Sequence, residues 1–253
     1  MDSFKGATLI PVYRHGKACI KVVESLAEYC RQSGVKVILV DDGNAEETKH
    51  CLEQIKAANE DFVNLVVLKE NSGKGGAVKT GLKFAKENGF THALQLDADG
   101  QHDTQRCAFF FEKARLSPEK MICGYPEYDE SAPGHRKNGR KFANTWCALV
   151  TWQSGIVDSL CGFRVYPVDA VYGFLENHRL DLRMGFDIDV LVRLIWAGLE
   201  YEFYSVKVTY PEDGFSNFRM VRDNARISWV FTKLCCGMFL RLPKLVWRKI
   251  HGK

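Results

Sequence analysis

Several chemistries are missing from this sequence. It has nine cysteines but no C-x-x-C pair, and the count is odd. A zinc site or a disulfide framework is therefore not expected; the thiols read as small buried hydrophobes in a reducing compartment. No His-x-x-x-His pattern occurs among the seven histidines. The first residues, MDSFKGATLIPVY, carry no long apolar stretch after a basic start. A secretory leader is not expected there, and a cytoplasmic location is. In the C-terminal part, 227–240 is apolar for only 14 residues and contains Lys233. About 18 or more would be needed to span a membrane. Low-complexity segments are absent too. With 46% hydrophobic and 26% charged residues, the 253-residue chain has the balance of a folded domain.

Charge is present but uneven. From Arg219 to Lys253 there are nine Lys/Arg and one acid, Asp223, while residues 1–218 hold 26 basic and 30 acidic residues. The tail thus carries the whole positive excess. Trp229, Phe231, Met238, Phe239, Leu240, Leu242, Leu245, Val246, Trp247 and Ile250 accompany it. Aliphatic and aromatic residues in that company point to an anionic membrane surface rather than to nucleic acid. The tail predicts one or two helices with a break near Leu242-Pro243. Its apolar face either lies in a membrane interface or docks on the protein's own core. The expected division is a domain over 1–218 and a basic, amphipathic, membrane-associating helical tail over 219–253.

Apolar, β-branched runs at 8–12, 35–40, 65–68 and 92–96 begin about 28 residues apart. Between them lie helix-like stretches at 16–32, 45–59 and 75–88. Strand alternating with helix at this period predicts βαβ units, an α/β fold with a mostly parallel central sheet flanked by helices. Further on, strands are expected at 121–124, 162–166 and 202–208, and helices at 142–153 and 185–197. Residues 125–141 read as a polar loop. Parallel sheets bind ligands beyond the carboxyl ends of their strands. Polar and acidic groups collect there: Asp41-Asp42-Gly43, Asn71-Ser-Gly-Lys74-Gly-Gly76 and Asp97-Ala98-Asp99-Gly-Gln-His102.

Asp97 and Asp99, at i and i+2 on a strand end, can face one Mg²⁺ or Mn²⁺ bridging to phosphates. Alone, such a triplet also describes a solvated turn. His102 stands beside them and can reach a diphosphate. Asp42 can accept hydrogen bonds from a base or ribose, or simply cap a βα turn. Gly73–Thr80 nearly fits the phosphate loop G-x-x-x-x-G-K-[ST], but Val78 stands where the second glycine belongs. Its glycines and Lys74 can still approach a phosphate at a helix start. Asp187 and Asp189 open a helix, with Arg193 one turn after Asp189. That pair is either a surface ion pair or an acid at a reacting centre with an arginine to hold an anion.

Taken together, IPVY (10–13), VDDG (40–43), NSGKGGAVKTGL (71–82), LDADGQHD (96–103), DSLCGFRVYP (158–167) and GFDIDVLVRLIWAG (185–198) stand in the order seen in the inverting family 2 glycosyltransferases of GT-A fold. The chain most resembles the branch with dolichol-phosphate mannose synthase and polyprenyl-phosphate sugar transferases, over about residues 7–210. The resemblance implies a UDP- or GDP-hexose donor, a divalent metal and a lipid-phosphate acceptor; the alternatives are a hydroxyl acceptor on a lipid, pigment or glycan, and a non-catalytic nucleotide-sugar-binding subunit. It implies that Pro11, Tyr13, Asp42 and Lys74 meet the nucleotide, and that Asp97, Asp99 and Asp187 ligate the metal. Asp187, Asp189 and Arg193 would be catalytic, and Arg136, Arg140 and Arg164 would meet the acceptor. Arg14-His15 replace the Asn-Glu common in that family.

Overall fold

The computed structural model describes residues 4–128, 134–209 and 217–250, except for the side chains at 128, 134–138 and 249. One seven-stranded sheet runs through the protein in the order β3-β2-β1-β4-β6-β5-β7. The first half alternates as expected: β1 (Gly6–Val12), α1 (Gly16–Ser33), β2 (Lys36–Asp41), α2 (Glu46–Ala58), β3 (Val63–Val67), α3 (Lys74–Glu87) and β4 (His92–Gln95). These four strands are mutually parallel. Then come α4 (Arg106–Leu116), β5 (Met121–Tyr128), α5 (Gly134–Thr151), β6 (Arg164–Pro167), α6 (Val168–Asn177), α7 (Phe186–Ala197), β7 (Tyr201–Val208) and α8 (Met220–Ile250).

The sheet is covered on both faces, and strand alternation sorts its side chains. Ala7 and Leu9 of β1, with Ile38 and Val40 of β2, join one core with α3 and α5–α8. Ile10 and Val12, with Val37 and Leu39, join the other with α1, α2 and α4. The period of two and two-sided burial explain why these strands read as continuous apolar runs. Gly81 brings α3 close to the sheet; a Cβ there would lie 2.0 Å from Leu9 Cδ1.

β6 decides where the site forms. It runs antiparallel to β4, pairing Arg164 with Gln95. Its entry, Gly162-Phe163, therefore lies on the same rim as the carboxyl ends of β1, β2 and β4.

Four details differ from the sequence reading. β5 extends through the polar segment to Tyr128, because it pairs with β7 as far as Val208. α5 starts at Gly134, inside the stretch read as loop. Two helices, α4 and α6, were not expected. Lastly, α8 runs unbroken through Pro243. Its last turns are held from outside: Leu245 is buried, and Arg248 donates to the carbonyls of Ile195 and Trp196 at 3.2 Å each.

One face of α8 docks on the protein itself. Val230, Phe231, Leu234, Met238 and Leu245 belong to the core shared with α5 and α7. The other face leaves Trp229 62%, Phe239 60% and Leu240 84% exposed, with Trp247 and Ile250 beyond them. No helix among the described residues is long and apolar enough to cross a membrane.

Candidate active site

The acidic triplet follows β4 after one residue, Leu96. Ala98 turns inward and is buried, while Asp97 and Asp99 are only partly covered. The two carboxylates are close enough to interact electrostatically. Gly100, at φ 73°, turns the chain, and Gln101 N–H donates to Asp99 Oδ1 at 3.1 Å. Lys74, the first residue of α3, reaches in from the other side. Its Nζ lies 2.8 Å from Asp97 Oδ1 and 2.8 Å from Asp187 Oδ2. Gln95 Nε2 holds the second Asp187 oxygen at 2.9 Å, and Tyr166 Oη donates to Gln95 Oε1 at 3.1 Å.

Charge coupling is strong here. Burial alone would lower the Lys74 ammonium, but Asp187 and then Asp97 outweigh it and hold it above the usual lysine range. Burial would raise Asp97, yet Lys74 and then His102 hold it below the usual carboxylate range. Asp99 is raised, first by burial and then by Asp97. Burial holds His102 below the usual imidazole range, against the pull of Asp97 and Asp99. Its Nδ1 is buried without a hydrogen-bond partner.

Among the described residues no three His, Cys, Asp or Glu side chains converge as a preformed cation cage. Asp97 and Asp99 still fit a hard cation of the kind held by one or two carboxylates plus substrate phosphates. The orphaned His102 Nδ1 is a further polar atom beside them. Asp187, expected as a third ligand, is instead paired with Lys74, whose Nζ lies 2.8 Å from both Asp187 and Asp97.

The second acidic strand end is structural in its contacts. Asp42 Oδ1 accepts from Ser72 N–H at 2.7 Å and Ser72 Oγ at 2.8 Å; Oδ2 accepts from Asn71 Nδ2 at 2.8 Å and Gly73 N–H at 3.0 Å. Burial drives this carboxyl upward, opposed by the Ser72 and Gly73 hydrogen bonds. With its acceptor sites engaged, Asp42 shapes the 71–73 loop rather than offering itself to a base or ribose. Gly43 makes the turn at φ 65°; a Cβ there would lie 2.4 Å from the Glu70 backbone carbon. The start of α3 is closed too. Gly75 and Gly76 N–H groups donate to Leu182 O at 2.9 and 3.3 Å, so they are not a phosphate nest. Arg183 ties that loop down through Asn71 Oδ1 at 2.7 Å.

The α7 residues separate. Asp187 faces Lys74. Asp189 is fully buried, accepting from Asp181 N–H at 2.8 Å and pairing with Arg193. It anchors the loop before α7 and does not face the acidic pair. Arg164 is also fully buried; its NH groups donate to Asp187 O at 2.7 Å and Ser159 O at 2.9 Å. It braces the site and cannot reach an acceptor. Arg140 pairs with both oxygens of Asp158 at 2.7 Å. The side chain of Arg136 lies outside the described residues.

Along β1, Pro11 is half-buried and Tyr13 exposed at the rim. Asn217 Nδ2 donates to Tyr13 O at 3.0 Å and lies 3.1 Å from His15 Nε2, drawing the entry of α8 to the same rim. A cleft of about 900 Å³ opens between α1 and the turn after Asp99. Arg14, His15, Lys17 and Lys21 line one wall; Asp99, Gln101 and His102 line the other. That volume suits a small-molecule ligand.

Three contributors were not singled out from sequence: Gln95, Tyr166 and Gly162. A Cβ on Gly162 would lie 2.6 Å from Lys74 Nζ and 2.9 Å from Gln95 Nε2. A glutamine and a tyrosine inside apolar strands were the available signal, since buried polar groups need partners.

The sequence model of glycosyl transferase family 2 matches residues 8–174. The chain belongs to glycosyl transferase family 2. It is a glycosyltransferase with the GT-A-type fold. Similar proteins include a dolichyl-phosphate beta-glucosyltransferase of Dictyostelium discoideum, 24% identical over 90% of this chain and 75% of that one. Another is a polyprenol monophosphomannose synthase of Mycolicibacterium smegmatis, 23% identical over 86% of this chain and 82% of that one. The fold is similar to the crystal structure of glucosyl-3-phosphoglycerate synthase from Mycobacterium tuberculosis in complex with UDP. The TM-score is 0.70 at 14% identity, covering 92% of this chain and 80% of that chain. The same enzyme in complex with Mn²⁺, UDP and glucosyl-3-phosphoglycerate gives a TM-score of 0.69.

Proposed function

We propose that this protein moves a hexosyl group from a UDP- or GDP-sugar, with inversion, onto a polyprenyl phosphate at a membrane surface. The observation that carries this is the Asp97–Asp99 pair, set between Lys74 and a cleft with a basic wall. A divalent cation held by Asp97, Asp99 and the donor's phosphates would neutralise charge on the departing diphosphate. Lys74, Arg14, Lys17 and Lys21 offer further positive charge to that diphosphate. In the transfer, an acceptor phosphate oxygen forms a bond to the sugar's C1 as the C1–O bond to the diphosphate breaks, from the opposite face. The nucleoside diphosphate leaves with the bonding electrons.

The state of the carboxylates favours phosphate over hydroxyl as acceptor. A hydroxyl must lose a proton to a base. Asp189 has both oxygens engaged, and Asp187 is held by Lys74 and Gln95. A phosphate monoester is already ionised and needs no base. Relatives named for dolichyl phosphate and polyprenol substrates support this acceptor class. The fold relative crystallised with Mn²⁺ and UDP supports the donor class.

In this reading, the exposed apolar face of α8 and the basic residues of 219–253 hold the enzyme peripherally on the cytoplasmic leaflet. The inner face of the helix stays in the core. The test is transfer from a panel of UDP- and GDP-sugars with Mn²⁺, using vesicles that carry either polyprenyl phosphate or polyprenol. Sugar appearing on the phosphate and not on the alcohol is the expected result. Transfer to the alcohol alone would replace this acceptor assignment. The Trp229→Ser/Leu240→Ser variant should pellet less with anionic vesicles.

A further inference from the structure

We propose that Lys74 is a resident counter-cation that keeps a divalent ion from binding the Asp97–Asp99 pair until a donor diphosphate arrives. Metal and donor then bind as one coupled unit. This rests on the donor-site reading above.

The geometry is that of a fitted seat. The ammonium bridges Asp97 and Asp187 at 2.8 Å each, although 20% of the Lys74 side chain and 26% of the Asp97 side chain are exposed. Asp187 is oriented by Gln95 on one side and by Arg164 at its carbonyl on the other. Gly162 shapes the floor: any side chain there would collide with Nζ. Lys74 thus already neutralises one carboxylate of the pair that a cation would use.

A second cation near Asp97 meets repulsion from this ammonium, and partial desolvation strengthens that repulsion. Among the described residues no preformed group of three His, Cys, Asp or Glu side chains compensates for that repulsion. A diphosphate changes the balance by giving both Lys74 and the metal a new anionic partner. Linkage then requires the reverse effect: metal must raise affinity for the diphosphate by the same factor. Lys74 acts here through Asp97, by competing with the metal for that carboxylate, which is distinct from its attraction for the donor.

The experiment is a Mn²⁺ titration of the full chain, read from the electron paramagnetic resonance signal of free Mn²⁺. It is run alone, with UDP and with GDP, on the wild type, K74M and K74R. The wild type should bind Mn²⁺ about tenfold or more tightly with the matching nucleoside diphosphate, within the usual range of coupling. K74M should bind Mn²⁺ alone about tenfold more tightly than the wild type and lose most of the coupling. K74R should retain it. A folded K74M with no gain in Mn²⁺ affinity overturns the proposal. If K74M fails to fold, the wild type decides: equal Mn²⁺ affinity with and without either nucleotide overturns it. No Mn²⁺ binding under any condition would instead sink the donor-site reading beneath it.

Discussion

Gly162→Ala isolates the geometry of the site from its chemistry. No charge or hydrogen-bonding group is removed. The added methyl would lie 2.6 Å from Lys74 Nζ, 2.9 Å from Gln95 Nε2 and 3.1 Å from Asp97 Oδ2. Non-bonded heavy atoms settle at about 3.5–4.0 Å, so Lys74 must retreat by roughly 1 Å. A misplacement of that size at a reacting centre costs about 10²-fold in rate. Overpacking costs about 1–3 kcal/mol, and the Ala gain in the unfolded chain returns about 0.4–1 kcal/mol. A net loss of about 1–2 kcal/mol lowers Tm by only a few degrees in a chain of this size. The assay is sugar transfer at saturating donor, alongside a thermal melt. Gly173→Ala is the control, because nothing lies within 4 Å of its added methyl and it sits inside α6. It should keep full activity and melt slightly higher. Full turnover by Gly162→Ala would refute the argument that this glycine seats Lys74 against Asp97.

Leu234→Ala, on the buried face of α8, should cost about 2–5 kcal/mol, whereas Leu240→Ala, 84% exposed, should leave the urea midpoint nearly unchanged. Equal effects would mean that α8 does not complete the core. Alkylation at pH 8 with mass mapping should label the exposed Cys236 in the native protein. Cys19, Cys123, Cys147 and Cys161 should stay unlabelled until denaturation, since burial pushes each thiol up to about 12. His92 adds an acid sensitivity. It is buried against the Phe4 ring and bonded to Pro118 O, and burial holds its imidazole below the ordinary value. As pH falls through about 6.5 the unfolded chain takes up the proton first, so stability present above that pH is lost below it. Urea midpoints at pH 7 and 5.5 should separate more for the wild type than for His92→Gln; parallel shifts would remove His92 as the cause.

The strand and helix order of the first half was legible because two-sided burial and helical spacing each leave a local pattern. β1, β2 and β4 lie within a few residues of the apolar runs, and Asp97, Asp99 and Lys74 stand at the ends of elements that those runs mark. The same signal was present for α4: Cys107, Phe110, Phe111 and Ala114 are spaced for one helical face and are buried. α6 is similar, with Val168, Val171, Tyr172 and Leu175 buried. Pro243 misled in the other direction, since local propensity cannot register the contacts by which α7 holds the last turns of α8.

What each polar side chain does was decided by tertiary structure. Asp42, Asp187 and Asp189 are chemically alike, and each lies at a strand end or helix start that invites a functional reading. Asp42 turns back onto its own loop, and Asp189 is closed off by Asp181 N–H and Arg193. Asp187 alone is carried to Lys74, because β6 runs antiparallel and sets Gly162 and Arg164 beneath it. Sequence by itself determined which residues stand at the rim, since burial period is a local property. Partner choice belongs to pairs such as Lys74 and Asp187, or Gln95 and Asp187, which lie about a hundred residues apart in the chain. Hydrogen bonds act over a few ångströms of space, and only the folded sheet, with β6 beside β4, brings those residues within that range.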